Sequence, residues 1–484
     1  MERSTKETRA LRAALDAEDI SELDLLLSEH FFRLTLLTPE LVVEAYSVMP
    51  EQWLAEHPRH LLQRAVLGMF ETARQFLDVS VYAVIEPWLA AQDNPDEGDM
   101  LLVLSCRVSD ANAHGWYEMG SRLSEELAAR IRSGRERTTR LEDIAPVVLS
   151  LCGHVEFLAG KRQAALTLFA ESLVWSGVGE QHPVAHLVRG HIALAYAFEQ
   201  RYSEAREVLA HTARFAENAD VAGWLDTPAI LSRSLISTGG LDIAGAEREL
   251  SRIGDELLDN DLGWAVLAAR ALMATYEGDV LRLTQIIAGQ LDRHPQRLSP
   301  ESTGGAYLRL GLAVLYQRSG HLHAAQAVLD TPGLSGFDNS VPIIAARQAL
   351  LRGQPERALA IFERSNVLRG GIVSPCHTPS GSVLFAEAEL LVTGAVSATA
   401  VDAAVAAIAH NDAPLALMLA GPELRRILAP LVNCDIDALG PAAEYRPRVK
   451  LTRREQEVLS ALAVHDTLVE VAAALHISRN TAKT

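Results

Sequence analysis

One unit recurs along the middle of this 484-residue chain and restricts its fold more than any other feature. Each copy reads as a helical stretch, a short turn that usually contains Gly, and a second helix with Ala and Leu at fixed offsets. The clearest copies are GHIALAYAFEQRYSEAREVL from Gly190 and GLAVLYQRSGHLHAAQAVLDTP from Gly311. Weaker ones surround Gly160, Gly240, Gly278, Gly353 and Gly394. Successive turns lie about 33 to about 42 residues apart, the range of two-helix units that stack in one dimension. Aromatic residues make up only 5% of the chain, and no sustained alternating Val, Ile or Thr runs support strands.

Each position in the unit has a physical reason. A Gly after the first helix accepts a left-handed conformation and ends it. Ala205, Ala325 and Ala358 keep the second helix close to the first, where a larger side chain would separate the pair. Leu209, Leu329 and Phe362 then fill the space between neighbouring units. In the Gly311 copy Gly311, Leu312, Tyr316, Gly320, Ala325, Leu329 and Pro332 fall in the order that resembles a tetratricopeptide-like repeat. The expected fold is therefore all-α, a tetratricopeptide-like α-solenoid over residues 1–432, with about seven units and degenerate helices before Gly160. The segment from Leu37 to Phe70, LTPELVVEAYSVMPEQWLAEHPRHLLQRAVLGMF, resembles the start of the helical sensor region in regulators related to the maltose-regulon activator. Many such proteins carry an ATPase domain upstream. No GxxxxGK[S/T] occurs in this sequence, so the resemblance implies a sensor without that domain.

Charge divides the chain unequally. The total is −18, from 44 basic and 62 acidic side chains, which argues against coating nucleic acid or an anionic membrane with the whole surface. Beyond a Gly- and Pro-containing stretch at 433–449 that reads as a linker, the sign reverses. Residues 446–484 hold seven basic and four acidic groups, a net of +3, which leaves −21 on the remainder.

The segment 450–484 contains three helix starts. Thr452 with Glu455 and Thr467 with Glu470 have capping-box spacing, and Ser478 suits an N-cap. Val458, Leu459 and Leu462 form one apolar face, Val471, Ala472 and Leu475 another, and Ile477 plugs the turn that follows. Two short helices, a tight turn and a third polar helix amount to a helix-turn-helix. LTRREQEVL, VEVAAAL and HISRNTAKT closely resemble the LuxR-type DNA-binding domain over Leu451–Thr484. The resemblance implies a recognition helix opened by Ser478 and Arg479, with Lys483 and Thr484 facing base edges. Asn480 and Thr481 would lie near phosphates, with Arg454 and Lys450 as further contacts to the nucleic-acid backbone. The chemistry agrees, because Lys donates to guanine or phosphate while hydroxyls and amides bond phosphate oxygens. Two departures stand out: His465-Asp466 replaces the usual Gly turn, and Ala482 the usual Val. Against the family pattern the domain is expected to be incomplete at its C-terminus. Its recognition helix would run about six residues, roughly 9 Å, with no closing helix, and would bind an operator poorly.

Other chemistries find less support. His182, His186 and His191 have a spacing open to a metal, but no Cys or carboxylate pattern completes a site. Asp93–Asp99 has Pro95 and Leu104 where a calcium loop needs ligands, so it reads as a solvated turn. Trp224, Trp264 and Tyr276 fit core packing better than a ligand groove. Cys106, Cys152, Cys376 and Cys434 are far apart and read as reduced, buried thiols. The charged N-terminus has no signal-peptide core, and 401–421 is too interrupted to span a membrane. A cytoplasmic protein without cofactor, metal or enzymatic motif is expected. Its leading function is a transcriptional regulator that binds double-stranded DNA as a homodimer, under a small-molecule or protein effector of the repeat array. The alternative is a repeat-based interaction scaffold with a non-functional tip.

Overall fold

A computed structural model describes residues 6–72, 79–133, 138–177, 182–212, 220–253, 261–334, 340–367, 378–440, 443, 445, 457, 458, 461, 467–478 and 481. Among these residues the regular elements are all helical, with no strand. The repeat unit is present at all seven expected turns. The pairs are Thr139–Leu158 with Arg162–Trp175, Val184–Phe198 with Tyr202–Ala210, Asp220–Gly239 with Ile243–Leu250, and Gly263–Met273 with Val280–Arg293. Three more follow: Thr303–Arg318 with Leu322–Leu329, Ser340–Leu351 with Pro355–Val367, and Pro379–Thr393 with Ala398–Asn411. The first helix of each pair packs on its own partner and on the first helix of the next pair, which buries apolar faces between neighbouring pairs along the array.

The turns obey a backbone rule more strictly than a residue rule. Gly160, Gly320, Gly353 and Gly394 take φ of +79°, +75°, +65° and +77°. In the Gly240 copy the left-handed position falls on Leu241, and in the Gly190 copy on Gln200, with φ of +64° and +61°. These two side chains tolerate a conformation that costs roughly 1–2 kcal/mol because packing on both sides holds the turn. The expected small positions are all fully buried: Ala205, Ala325 and Ala358. Leu209 and Leu329 are half-buried and Phe362 is fully buried. Gly190 and Gly311 serve close approach within their helices. A Cβ there would lie 3.0 Å from the Ala229 nitrogen and from the Ala271 Cβ, respectively.

The helices before Gly160 are less degenerate than the sequence suggests. Glu97–Ala113 and Tyr117–Ser133 form another pair, turned through Gly115 at φ +73°. Leu27, Phe31, Val42, Leu54, Leu101 and Leu149 belong to the core of this N-terminal part. The helix Ile20–Leu37 breaks at His30, and Asp143 caps the freed backbone, accepting from the N–H groups of Phe32 and Arg33 at 2.8 and 2.9 Å. The Asp93–Asp99 run is not merely a solvated turn. Asp96 caps Glu97–Ala113, and Asp99, 1% exposed, is held by the guanidinium groups of Arg59 and Arg140. Two cations in direct contact offset the desolvation of its carboxylate.

The array also closes on itself. Gln200 Oε1 accepts from Ser380 N–H at 3.1 Å, Asn411 Oδ1 from Ser203 N–H at 3.4 Å, and Asn411 O from Arg206 Nη1 at 2.9 Å. Six first helices, from Val184–Phe198 to Pro379–Thr393, therefore form one turn whose end meets its beginning. The short helix Pro414–Leu419 and Leu439, Gly440 and Ala443 lie across this turn.

Candidate functional site

The tip of the chain is held by local capping. Thr467 Oγ1 accepts from Glu470 N–H at 3.3 Å, and Glu470 Oε2 accepts from Thr467 N–H at 3.2 Å, which completes the expected capping box. The helix Leu468–Ala474 ends at His476, whose φ is +52°. The Ile477 N–H then returns to the Ala472 carbonyl at 2.9 Å, the bond of a Schellman turn. Val471 and Ala472 are buried, with Val458, Ala461, Leu475 and Ile477 packed around them. Ser478 Oγ accepts from Thr481 N–H at 3.1 Å, so it caps the start of the next helix. Its hydroxyl also meets the Thr481 hydroxyl at 2.8 Å, and both residues are exposed. The first hydrogen bond of the new turn thus comes from a residue proposed to touch DNA. Lys450, Arg454, Arg479, Asn480, Lys483 and Thr484 lie outside the described residues, as do Thr452, Glu455, Leu459, Leu462, His465, Asp466 and Ala482.

A second site was not foreseen from the sequence. The closed turn of first helices surrounds a cavity of about 670 Å³. Its wall is largely apolar and aromatic, with Phe198, Tyr276, Tyr307, Leu310, Ile343 and Leu384 among its residues. Tyr276 therefore lines a ligand-sized space. Trp264 instead packs into the core, 5.2 Å from the Phe198 ring and 5.9 Å from that of Tyr307. The Trp224 side chain lies outside the described residues.

The charges on this wall have one sign. Arg318 and Arg347 line the cavity, and no Asp or Glu does among the described residues. Arg318 is exposed at the rim. Arg347 is half-buried, its Nε is out of solvent without a hydrogen-bond partner, and burial pushes its pKa down. The neighbouring Arg318 pushes the same way, while the Tyr445 hydroxyl, within hydrogen-bonding reach of Arg347, opposes the shift. Tyr445 O–H in turn donates to the Leu419 carbonyl at 2.5 Å. Gln317, 4% exposed on the same wall, gives its amide N–H to the Ile344 carbonyl at 3.0 Å and leaves Oε1 without a partner.

The described part of the stretch at 433–449 reaches this site. Leu439, Gly440 and Ala443 line the cavity, and the Gly440 carbonyl accepts from Arg425 at 2.8 Å. Tyr445 is buried against Ile343, Phe362 and Leu384. The described residues of this segment are thus anchored: Ala443 N–H donates to the Ala420 carbonyl at 3.3 Å, and Leu439 and Tyr445 are buried.

The remaining candidates resolve into structural roles. His182 Nε2 lies 3.3 Å from Asp143 Oδ1, His186 Nε2 lies 3.0 Å from Asp226 Oδ1, and His191 stacks on Phe169 at 5.4 Å between centroids. The three rings thus meet three different neighbours. Among the described residues no three His, Cys, Asp or Glu side chains converge in metal-holding geometry. Cys106 and Cys152 are buried free thiols, and burial pushes the latter up to about 12. Cys434 is only half-buried, because it follows the exposed end of Pro422–Leu431, and Cys376 lies outside the described residues. No helix of the described residues is long and apolar enough to cross a membrane. Compared with protein-family models, with curated proteins and with solved structures, the chain matches none.

Proposed function

We propose that this chain is a sequence-specific DNA-binding transcriptional regulator, with the helical array as sensor and the C-terminal helix-turn-helix as the element that contacts double-stranded DNA. The observation that carries the reading is the order at the tip: a capped helix, a left-handed turn at His476 plugged by Ile477, and a new start capped by Ser478. That order, one capped helix followed by a turn and a second capped start, is the one that sets off a recognition helix in a helix-turn-helix. The positive charge of 446–484 supports the same reading. On it Lys483 and Thr484 meet base edges, Ser478, Arg479, Asn480 and Thr481 the adjoining backbone, and Lys450 and Arg454 outer phosphates. The regulator acts in the cytoplasm as a homodimer on its operator. A scaffold would present the inner face of its array to a protein, whereas here that face encloses a cavity of small-molecule size.

The test is selection of duplexes from a random pool by the protein with its helix-turn-helix extended to the length of the family's domain, followed by affinity measurement at moderate salt. Lys483→Ala should weaken binding to the selected sequence about tenfold, within the 1–3 kcal/mol of a good base contact, while weakening non-specific duplexes far less. Equal affinity of both proteins for the selected sequence removes the role given to Lys483, and failure to select any sequence removes the regulator reading.

A further inference from the structure

The cavity has three properties that together restrict what it can hold. Its volume of about 670 Å³ lies within the range of sites that bury most of a drug-sized molecule. Its wall offers apolar and aromatic surface from the six first helices, from Tyr202 and from the short helix Pro414–Leu419, so a ligand must have an apolar body. Its charges, among the described residues, are two arginines with no carboxylate to pair them. In a chain of net charge −18, with 62 acidic side chains to draw on, composition does not account for that omission. Elsewhere two buried carboxylates are each held by two guanidinium groups, Asp99 by Arg59 and Arg140 and Asp226 by Arg233 and Arg252.

We infer that the cavity is the binding site for an apolar organic acid, its anionic head on Arg347 with Arg318 at the rim and its ring- or chain-shaped body against Tyr276, Tyr307, Leu310 and Leu384. A planar guanidinium matches a carboxylate or sulfonate in two parallel hydrogen bonds. Neutral ligands of the same shape would leave the guanidinium groups without a counter-charge. Sugars would leave most of the wall in contact with hydroxyls.

The site also touches the path to the tip. Leu439, Gly440 and Ala443 form part of the wall, and Arg347 faces Tyr445. A bound anion and the Tyr445 hydroxyl thus share one guanidinium, five residues before the segment 450–484. This inference deepens the sensor role and rests on the regulator reading only for the consequence at DNA. Binding itself is measured without DNA, so failure of the site and failure of that reading are separable.

The experiment uses the whole protein and two fluorescent probes that differ by one anionic group, 8-anilino-1-naphthalenesulfonate and neutral N-phenyl-1-naphthylamine. The sulfonate should bind at one site per chain and at least about tenfold tighter than the neutral amine. Arg347→Gln should reduce sulfonate affinity about tenfold and leave the amine unchanged. Arg318→Gln, at an exposed position, should reduce it less in the same direction and covers the case in which the first variant does not fold. Val314→Trp, which fills the cavity, should abolish both. Dodecanoate should displace the sulfonate where dodecanol does not. The inference is overturned if the two probes bind equally, if neither Arg variant separates them, or if Val314→Trp leaves both in place.

Discussion

His191 shows how a residue that suggested chemistry from the sequence acts on stability instead. It is 4% exposed and stacked on Phe169, with ring planes 4° apart. Burial, and then the nearby His154, hold its pKa well below the ordinary histidine value. The unfolded chain takes up its proton near pH 6.5 while the folded chain does not, so stability is complete above that pH and falls below it. One such group costs about 1.4 kcal/mol per pH unit. We expect His191→Phe, which keeps the stacking, to reduce the loss between pH 6.5 and 5.5 by about 1 kcal/mol in urea unfolding; an unchanged slope would show that His191 titrates normally. Asp226 is shifted down as well. Burial raises its pKa as the largest single influence, but His186 and Arg233 together hold it below the usual value. Its contribution is therefore present at neutral pH and lost as the pH falls below about 4.

Between helices, the controlling quantity is how closely two backbones approach. Phe169 is fully buried above Gly153 in the Gly160 unit, where an added Cβ would lie 2.6 Å from its ring. Neither residue can move alone, since Gly153 is inside Thr139–Leu158 and Phe169 is clamped by the facing helix. Gly153→Ala should therefore destabilise the chain by about 2 kcal/mol through overpacking, read as a lower urea midpoint at unchanged helical circular dichroism. A midpoint equal to that of the parent would mean that the pair separates freely. The same close approach recurs at Gly239, whose Cβ would meet the Tyr202 ring at 2.3 Å. The turn at Gly320 differs, because a Cβ there would meet nothing within 4 Å and only its φ of +75° calls for Gly. The pattern of Gly, Ala and Leu that marks a unit in the sequence thus combines two demands, backbone handedness at the turn and contact distance in the helix.

At the scale of the molecule, the contacts that matter are few and far apart in sequence. Arg206 and Ser203 bond to Asn411 across about two hundred residues, and these bonds hold the ends of the six-helix turn together. Asn411 is 6% exposed and Ser203 half-buried, so truncating the Asn411 side chain leaves the Ser203 N–H without this acceptor. Asn411→Ala combined with Arg206→Ala should loosen the closure. Small-angle scattering should then give a larger radius of gyration, while helical content stays the same. An unchanged radius would mean that the apolar core closes the turn by itself, through Leu241 against Leu417 and Leu424.

What can be read from the chain alone is whatever repeats or lies within a few residues. The all-α class and the seven turns follow from the spacing of small residues, and the caps at Thr467 and Ser478 from local spacing, because their causes are helical geometry and backbone hydrogen bonding over three or four positions. The departures have the same origin. Leu241 and Gln200 occupy left-handed turns because their neighbours hold them there, which no local preference reports. The pair at Gly115 was hidden by its weaker pattern. The cavity was invisible for a different reason: its lining residues come from positions 197 to 443, and the sequence presents Arg318, Arg347 and Tyr445 as unrelated side chains. Only the curvature of the array, closed by Asn411 against Arg206 and Ser203, brings them to one wall. Periodicity determines that these helices stack, and the sum of small inter-helix rotations decides what the stack encloses.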